Sequence, residues 1–89
     1  MAQIQVTRPT PEQFEEMEIG SWPIWTCDVS RFPWHYDRQE TCYILEGRVT
    51  VQAGREKVTF GPGDMVVFPV GLDCTWDVTE PVRKHYKFD

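Results

Sequence analysis

The run Gly63-Asp64-Met65-Val66-Val67-Phe68-Pro69-Val70-Gly71-Leu72-Asp73-Cys74 decides the fold. Met65–Phe68 is too short for a helix and apolar on both faces, the pattern of a buried strand. Gly61-Pro62-Gly63-Asp64 is a dense turn signal ahead of it. Pro69 offers no N–H to continue a ladder, and Gly71 permits a second turn. Cys74 then opens another strand, in which Cys74, Trp76 and Val78 face inward and Thr75, Asp77 and Thr79 outward. A strand apolar on both sides needs a cover outside the core, supplied by a helix or by a second copy of the chain.

The same alternation extends in both directions. Glu40–Glu46 reads as a strand with Cys42 and Ile44 opposed to Thr41, Tyr43 and Leu45. Gly47 turns the chain into a second strand, Arg48–Ala53, and Gly54-Arg55 into a third, Lys57–Phe60. Gln3–Val6 and the aromatic run Trp22–Val29 add strands at the front. Val82–Phe88 closes the chain with Val82, Tyr86 and Phe88 on one face. Phe32–Asp37 reads as a loop. One short helix is expected: Thr10 caps it, Pro11 takes the first helical position, Gln13 closes a capping box, and Gly20 stops it. Phe14 and Met17 give it a narrow apolar stripe for covering the barrel. About eight short strands at this spacing point to an all-β sandwich or barrel.

Eighty-nine residues make one domain, residues 1–89, with a thin core, so pairing into a homodimer is expected. Hydrophobic content of 40% with 13% aromatic residues supports a folded chain. A net charge of −5 argues against nucleic acid, which needs a surplus of clustered Lys and Arg. The one basic cluster, Arg83-Lys84 with Lys87, reads as a solvated edge strand. Three cysteines without CxxC spacing, no leader and no apolar run long enough to span a bilayer lead to an expectation of a soluble, intracellular, reduced protein. A trimmed organelle-targeting segment would leave no trace in the chain.

Two segments resemble the paired motifs of the cupin superfamily. Gly63 to Cys74 matches G-x5-P-x-G-x2-H except at its last position, where Cys74 stands for His. Glu40 and Gly47 match the end of H-x-H-x3–4-E-x6-G. The two His positions hold Trp34 and Tyr36 with a three-residue gap, or Pro33 and His35 with a four-residue gap. The resemblance implies a cupin-type β-barrel, or jelly roll, with one short N-terminal helix. Trp22-Pro23-Ile24-Trp25, Cys74-Thr75-Trp76 and Glu80–Lys84 are similar to the group containing ureidoglycine aminohydrolase and the ethanolamine-utilisation cupin. Ureidoglycine aminohydrolase carries two cupin domains and binds manganese. This chain has one domain and lacks most of those ligands.

A metal cupin presents three histidines and a glutamate; here the available set is Glu40, Cys74 and His35. Glu40 and Cys74 open different strands and are expected to converge inside the sheet. A buried carboxylate needs a partner. Glu40 is therefore either a recognition or acid–base group in an aromatic pocket, or a rim residue bonded to Tyr36 or Arg38. Cys74 reads as core filling beside Trp76, with a ligand or a nucleophile assisted by His35 as alternatives. His35 reads as exposed. Trp34, Tyr36, Cys42 and Trp76 are the pocket-lining candidates, with Cys42 and Cys27 packing residues. His85 reads as outward.

The favoured reading is a small-molecule-binding cupin, either a binder of a small polar nitrogenous or carbonyl metabolite or an enzyme acting on one, in which case the chemistry rests on Glu40 as acid or base. No metal is favoured, since three ligands are the usual minimum for a catalytic site; manganese, iron or zinc remain the alternatives. A non-catalytic barrel serving dimerisation or partner binding is the runner-up, and a metal-dependent enzyme the third reading.

Overall fold

The computed structural model describes residues 3–89. Among the described residues, one short helix, a 3₁₀ turn and seven strands pack with a radius of gyration of 12.3 Å. The elements in chain order are β1 (Gln5–Thr7), α1 (Pro11–Glu16), the 3₁₀ turn Ile19–Ser21, β2 (Ile24–Cys27), β3 (Ser30–His35), β4 (Glu40–Ala53), β5 (Glu56–Phe60), β6 (Met65–Phe68) and β7 (Asp73–Phe88). All pairings are antiparallel, and the architecture is the expected all-β cupin-type jelly-roll barrel.

Two long strands organise it. β4 and β7 pair along nearly their whole lengths. The other edge of β4 takes β6 at its first half and β5 at its second. The other edge of β7 takes β3 first and β2 later. β1 closes on β6. Each long strand therefore serves both halves of the barrel, and β7 is an interior strand rather than the solvated edge expected for Arg83–Lys87.

The strand count falls below eight because two expected breaks are bends. Gly47 lies within β4, at φ +97, where the β4–β7 register shifts between Ile44 and Val49. Irregular pairing absorbs the kink and the ladder continues. Pro81 sits opposite, within β7, and joins what read as two strands, Cys74–Thr79 and Val82–Phe88. The stretch read as a loop supplies β3, an edge strand that tolerates Pro33.

The capping box at Thr10 and Gln13 forms as expected. The helix ends at Glu16, earlier than Gly20: Glu18 adopts φ 55, and Gly20 falls inside the following 3₁₀ turn. No residue of α1 is buried. It rests on the sheet through Phe14, edge-on to Tyr43 at 5.1 Å, while Ile19 of the 3₁₀ turn is fully buried.

Trp76 sits at the middle of the core, within 6.1 Å of the Trp25, Phe32, Phe60 and Phe68 ring centroids. Val49, Val51, Val66 and Val78 complete the packing.

Gly47 is the position least able to take a side chain, since a Cβ there would run into the Pro81 carbonyl and the Val82 Cα. Gly47→Ala is expected to lose about 2–5 kcal/mol in urea denaturation, combining left-handed strain with overpacking. Gly54→Ala, at φ +59 with open space around it, is expected to lose only about 1–2 kcal/mol.

Candidate functional site

The site is built from the start of β4, the end of β7 and the β2 and β3 strands beside it. Glu40 opens β4 in register with Phe68 on one side and Phe88 on the other, so its carboxylate enters the barrel. It is 3% exposed. Both oxygens have partners. The Tyr36 hydroxyl donates to Oε1 at 2.7 Å, and the Lys84 ammonium donates to Oε2 at 2.6 Å.

Tyr36 is held by both its chain and its ring. Its N–H donates to the Leu72 carbonyl, and its own carbonyl accepts from the Gly71 N–H. Its ring stacks on Phe68 at 4.9 Å. The Pro69–Leu72 turn thus aims the phenol at Glu40. Burial first, then the Glu40 charge, pushes the Tyr36 hydroxyl above its ordinary range, so it stays protonated and donates.

Lys84 shares a face of β7 with Val82, Tyr86 and Phe88 and is 4% exposed. Its stem runs along the strand to reach Glu40, four residues from its ladder partner Ile44. The ammonium lies 4.9 Å from the Trp25 ring centre and 4.5 Å from that of Trp76. The carboxylate and two π faces replace the water it has lost.

Above this cluster opens a pocket of about 250 Å³. Trp25, Phe32, Trp34, Tyr36 and Trp76 form its walls with Tyr86 and Phe88, and Glu40 and Lys84 are its charged members. Trp34 is half-exposed at the mouth, edge-on to Tyr36. The Trp76 indole N–H weakly favours ionisation of the Tyr36 hydroxyl but does not form a hydrogen bond with it. Among the described residues it is the one buried side-chain polar atom without a partner.

The candidates from sequence divide accordingly. Glu40, Tyr36, Trp34 and Trp76 come together at the pocket. Cys42 and Cys74 are buried in the core behind it and do not line it. The Cys74 thiol lies 3.6 Å from the Trp34 carbonyl, and burial, with Asp73 and Glu40, pushes its pKa up to about 11. Burial pushes Cys42 up to about 12. His35 is on the outer face of β3, exposed and paired with Asp73 at 2.7 Å. His85 faces outward as read from sequence, yet is buried under the chain at Trp22, whose carbonyl accepts from its ring at 2.9 Å. Lys84 and Trp25 were missed, as were Phe32, Tyr86 and Phe88. Their signal was parity: Lys84 alternates in step with Val82, Tyr86 and Phe88, but three cations in five residues read as a surface.

The residues present do not suit a resident metal ion. Among the described residues no group of three or more His, Cys, Asp and Glu side chains comes together. The carboxylate nearest to such a role already holds an ammonium, whose charge would repel a dication.

The chain matches the model of the EutQ-like cupin domain over residues 14–86 and belongs to that family. A DUF861 family protein from Thermotoga maritima is 49% identical over 98% of this chain and 100% of its own, with a TM-score of 0.95. A putative ethanolamine utilization protein Q from Salmonella typhimurium is 25% identical, covering 96% of this chain and 68% of that one, at a TM-score of 0.69. The Clostridium difficile EutQ protein shares the fold at 18% identity and a TM-score of 0.70, over 98% of this chain and 68% of its own. No curated protein matches the chain.

Lys84→Met strands Glu40 as an unpaired buried carboxylate and is expected to cost about 3–5 kcal/mol in urea denaturation at pH 7. The double variant Lys84→Met with Glu40→Gln, lacking both charges, is expected to recover most of that loss.

The thiols offer a second test. Because the folded chain retains thiol protons that the unfolded chain releases, this contribution is full below the ordinary thiol value of 9.0 and is lost as pH rises toward 11 and 12. Stability is therefore expected to fall above pH 9. At pH 8, iodoacetamide is expected to modify the half-buried Cys27 before Cys74 or Cys42, read by peptide mass mapping.

Proposed function

We propose that this cupin binds a small metabolite bearing a carbonyl or carboxylate group, and acts on it with Glu40 as the proton carrier. The observation that carries the reading is the imbalance of hydrogen-bonding capacity around the pocket. Both Glu40 oxygens already accept a bond, whereas among the described residues the Trp76 N–H has no acceptor and Lys84 keeps N–H groups beyond the one given to Glu40. Unspent donors in an aromatic pocket select an acceptor atom on the ligand.

The choice between carbonyl and amine follows from charge. An aromatic pocket with a carboxylate ordinarily suits a cation, but here Lys84 already occupies the carboxylate and two ring faces. A second cation would meet it unscreened. A ureide, an amide or a keto acid supplies oxygen acceptors without that penalty, so the nitrogenous ligands that fit are neutral ones. The volume of about 250 Å³ lies below the roughly 300 Å³ at which drug-sized sites begin, which limits the ligand to a small metabolite.

The runner-up is a barrel whose apolar rim, with Trp34, Val70 and Phe88 exposed, docks a second copy. Thermal-shift measurements with ureides, keto acids and amino acids, alongside sedimentation of the free protein, distinguish the two. The pocket reading expects a keto acid or ureide to raise the melting temperature, and Trp34→Ala to weaken that rise without changing oligomeric state. No stabilisation by any member of the panel, with Trp34→Ala converting a dimer to a monomer, favours the docking surface instead.

A further inference from the structure

We infer that Lys84 is a covalent attachment point for small aldehydes or ketones, which it captures as an iminium inside the pocket. The inference rests on the pocket reading above and adds a reaction to it. Three features carry it: a lysine nitrogen that lines an aromatic pocket, a proton acceptor fixed against that nitrogen, and an N–H donor in the same cluster without a partner among the described residues.

An ammonium has no lone pair, so capture begins with its proton. The Glu40 carboxylate lies 2.6 Å from Nζ and is positioned to take it. Tyr36 holds the other carboxylate oxygen at 2.7 Å and keeps the group from turning away. The freed amine then attacks the carbonyl carbon, forming a C–N bond while the C=O electrons move to oxygen. Among the described residues the Trp76 N–H is buried without a partner, and a side-chain shift that uncovers it would let it donate to that developing oxyanion. Glu40 returns its proton to give a carbinolamine. Loss of the hydroxyl as water breaks the C–O bond, with Glu40 ferrying the second proton from nitrogen.

The balance is simple: carbonyl compound plus Lys84 ammonium gives iminium plus water. Nitrogen loses two protons and water carries both away. No oxidant or second reactant enters. One positive charge stands beside Glu40 before and after, so the buried carboxylate never loses its counter-charge. The aromatic walls limit the water that would hydrolyse the adduct.

The other nucleophiles are less well placed. Cys42 and Cys74 do not line the pocket, and burial keeps their thiols protonated at neutral pH. The chain has only two other lysines, Lys57 and Lys87, both exposed, which serve as internal controls.

The test is reductive trapping of the full chain with pyruvate and, separately, propionaldehyde, using borohydride and peptide mass mapping. Reduced adduct is expected on Lys84 at least about tenfold faster than on Lys57 or Lys87 in the same sample. Trp76→Phe, which keeps an aryl wall and removes the N–H, is expected to slow trapping at Lys84 while leaving the exposed lysines unchanged. Glu40→Gln is expected to abolish trapping at Lys84. Thermal stabilisation by either carbonyl compound without adduct on Lys84 overturns the iminium and leaves the pocket reading standing. Absence of both adduct and stabilisation overturns the two together. Equal labelling of all three lysines reduces Lys84 to an ordinary amine and overturns the inference.

Discussion

Glu40 and Lys84 face each other at 2.6 Å inside the barrel, one on each of the two strands that run through the whole fold. Removing two ions from water costs several kcal/mol apiece, and their attraction repays it only when the remaining hydrogen-bonding capacity is also met. Tyr36 and the faces of Trp25 and Trp76 meet much of it. The pair therefore constrains its surroundings: the phenol must point inward, both tryptophans must flank the ammonium, and β4 and β7 must hold their register. Well-packed apolar residues of equal volume often serve stability as well as, or better than, a buried ion pair. The polar cluster is a costly device for packing alone, and it sits at the base of a pocket.

The turn that defines the fold also sets the site. Pro69 to Leu72 ends β6, and its Gly71 N–H and Leu72 carbonyl bind the backbone of Tyr36. Tyr36 in turn holds Glu40. The EutQ-like cupin framework thus brings the first strand motif and the second into contact, with a phenol and an ammonium around the carboxylate. This is how one barrel carries different chemistries: the backbone places the positions, and the residue types decide what they do.

Much of this was legible in the residues. Turn signals at Gly61–Gly63 and Gly71, alternation from Cys74 to Val78 and the Thr10–Gln13 box mark elements that form as read. Glu40 and Trp76 were legible as pocket candidates because strand alternation places them on the inner face, and Trp34 and Tyr36 because spacing of two brings both rings to one side of the chain. Gly47 and Pro81 misled for a shared reason. Each ordinarily ends a strand, but they lie opposite one another, so the irregularity of one strand is accommodated by the other and the ladder passes through. Phe32–His35 read as a loop because an edge strand with a proline lacks the usual strand composition.

Lys84 marks the boundary between the two kinds of knowledge. Short-range order, meaning most of the strands, their inward faces and the capped helix, follows from spacing and residue type, because those act over a few bonds. Whether a cation on an inward face is buried depends on a carboxylate 44 residues away. That pairing exists only once β4 and β7 are laid side by side, and only then do two distant aromatic rings close over the ammonium. Tertiary structure decided it because the desolvation of a charge is set by everything that surrounds it, and no local pattern contains its partners.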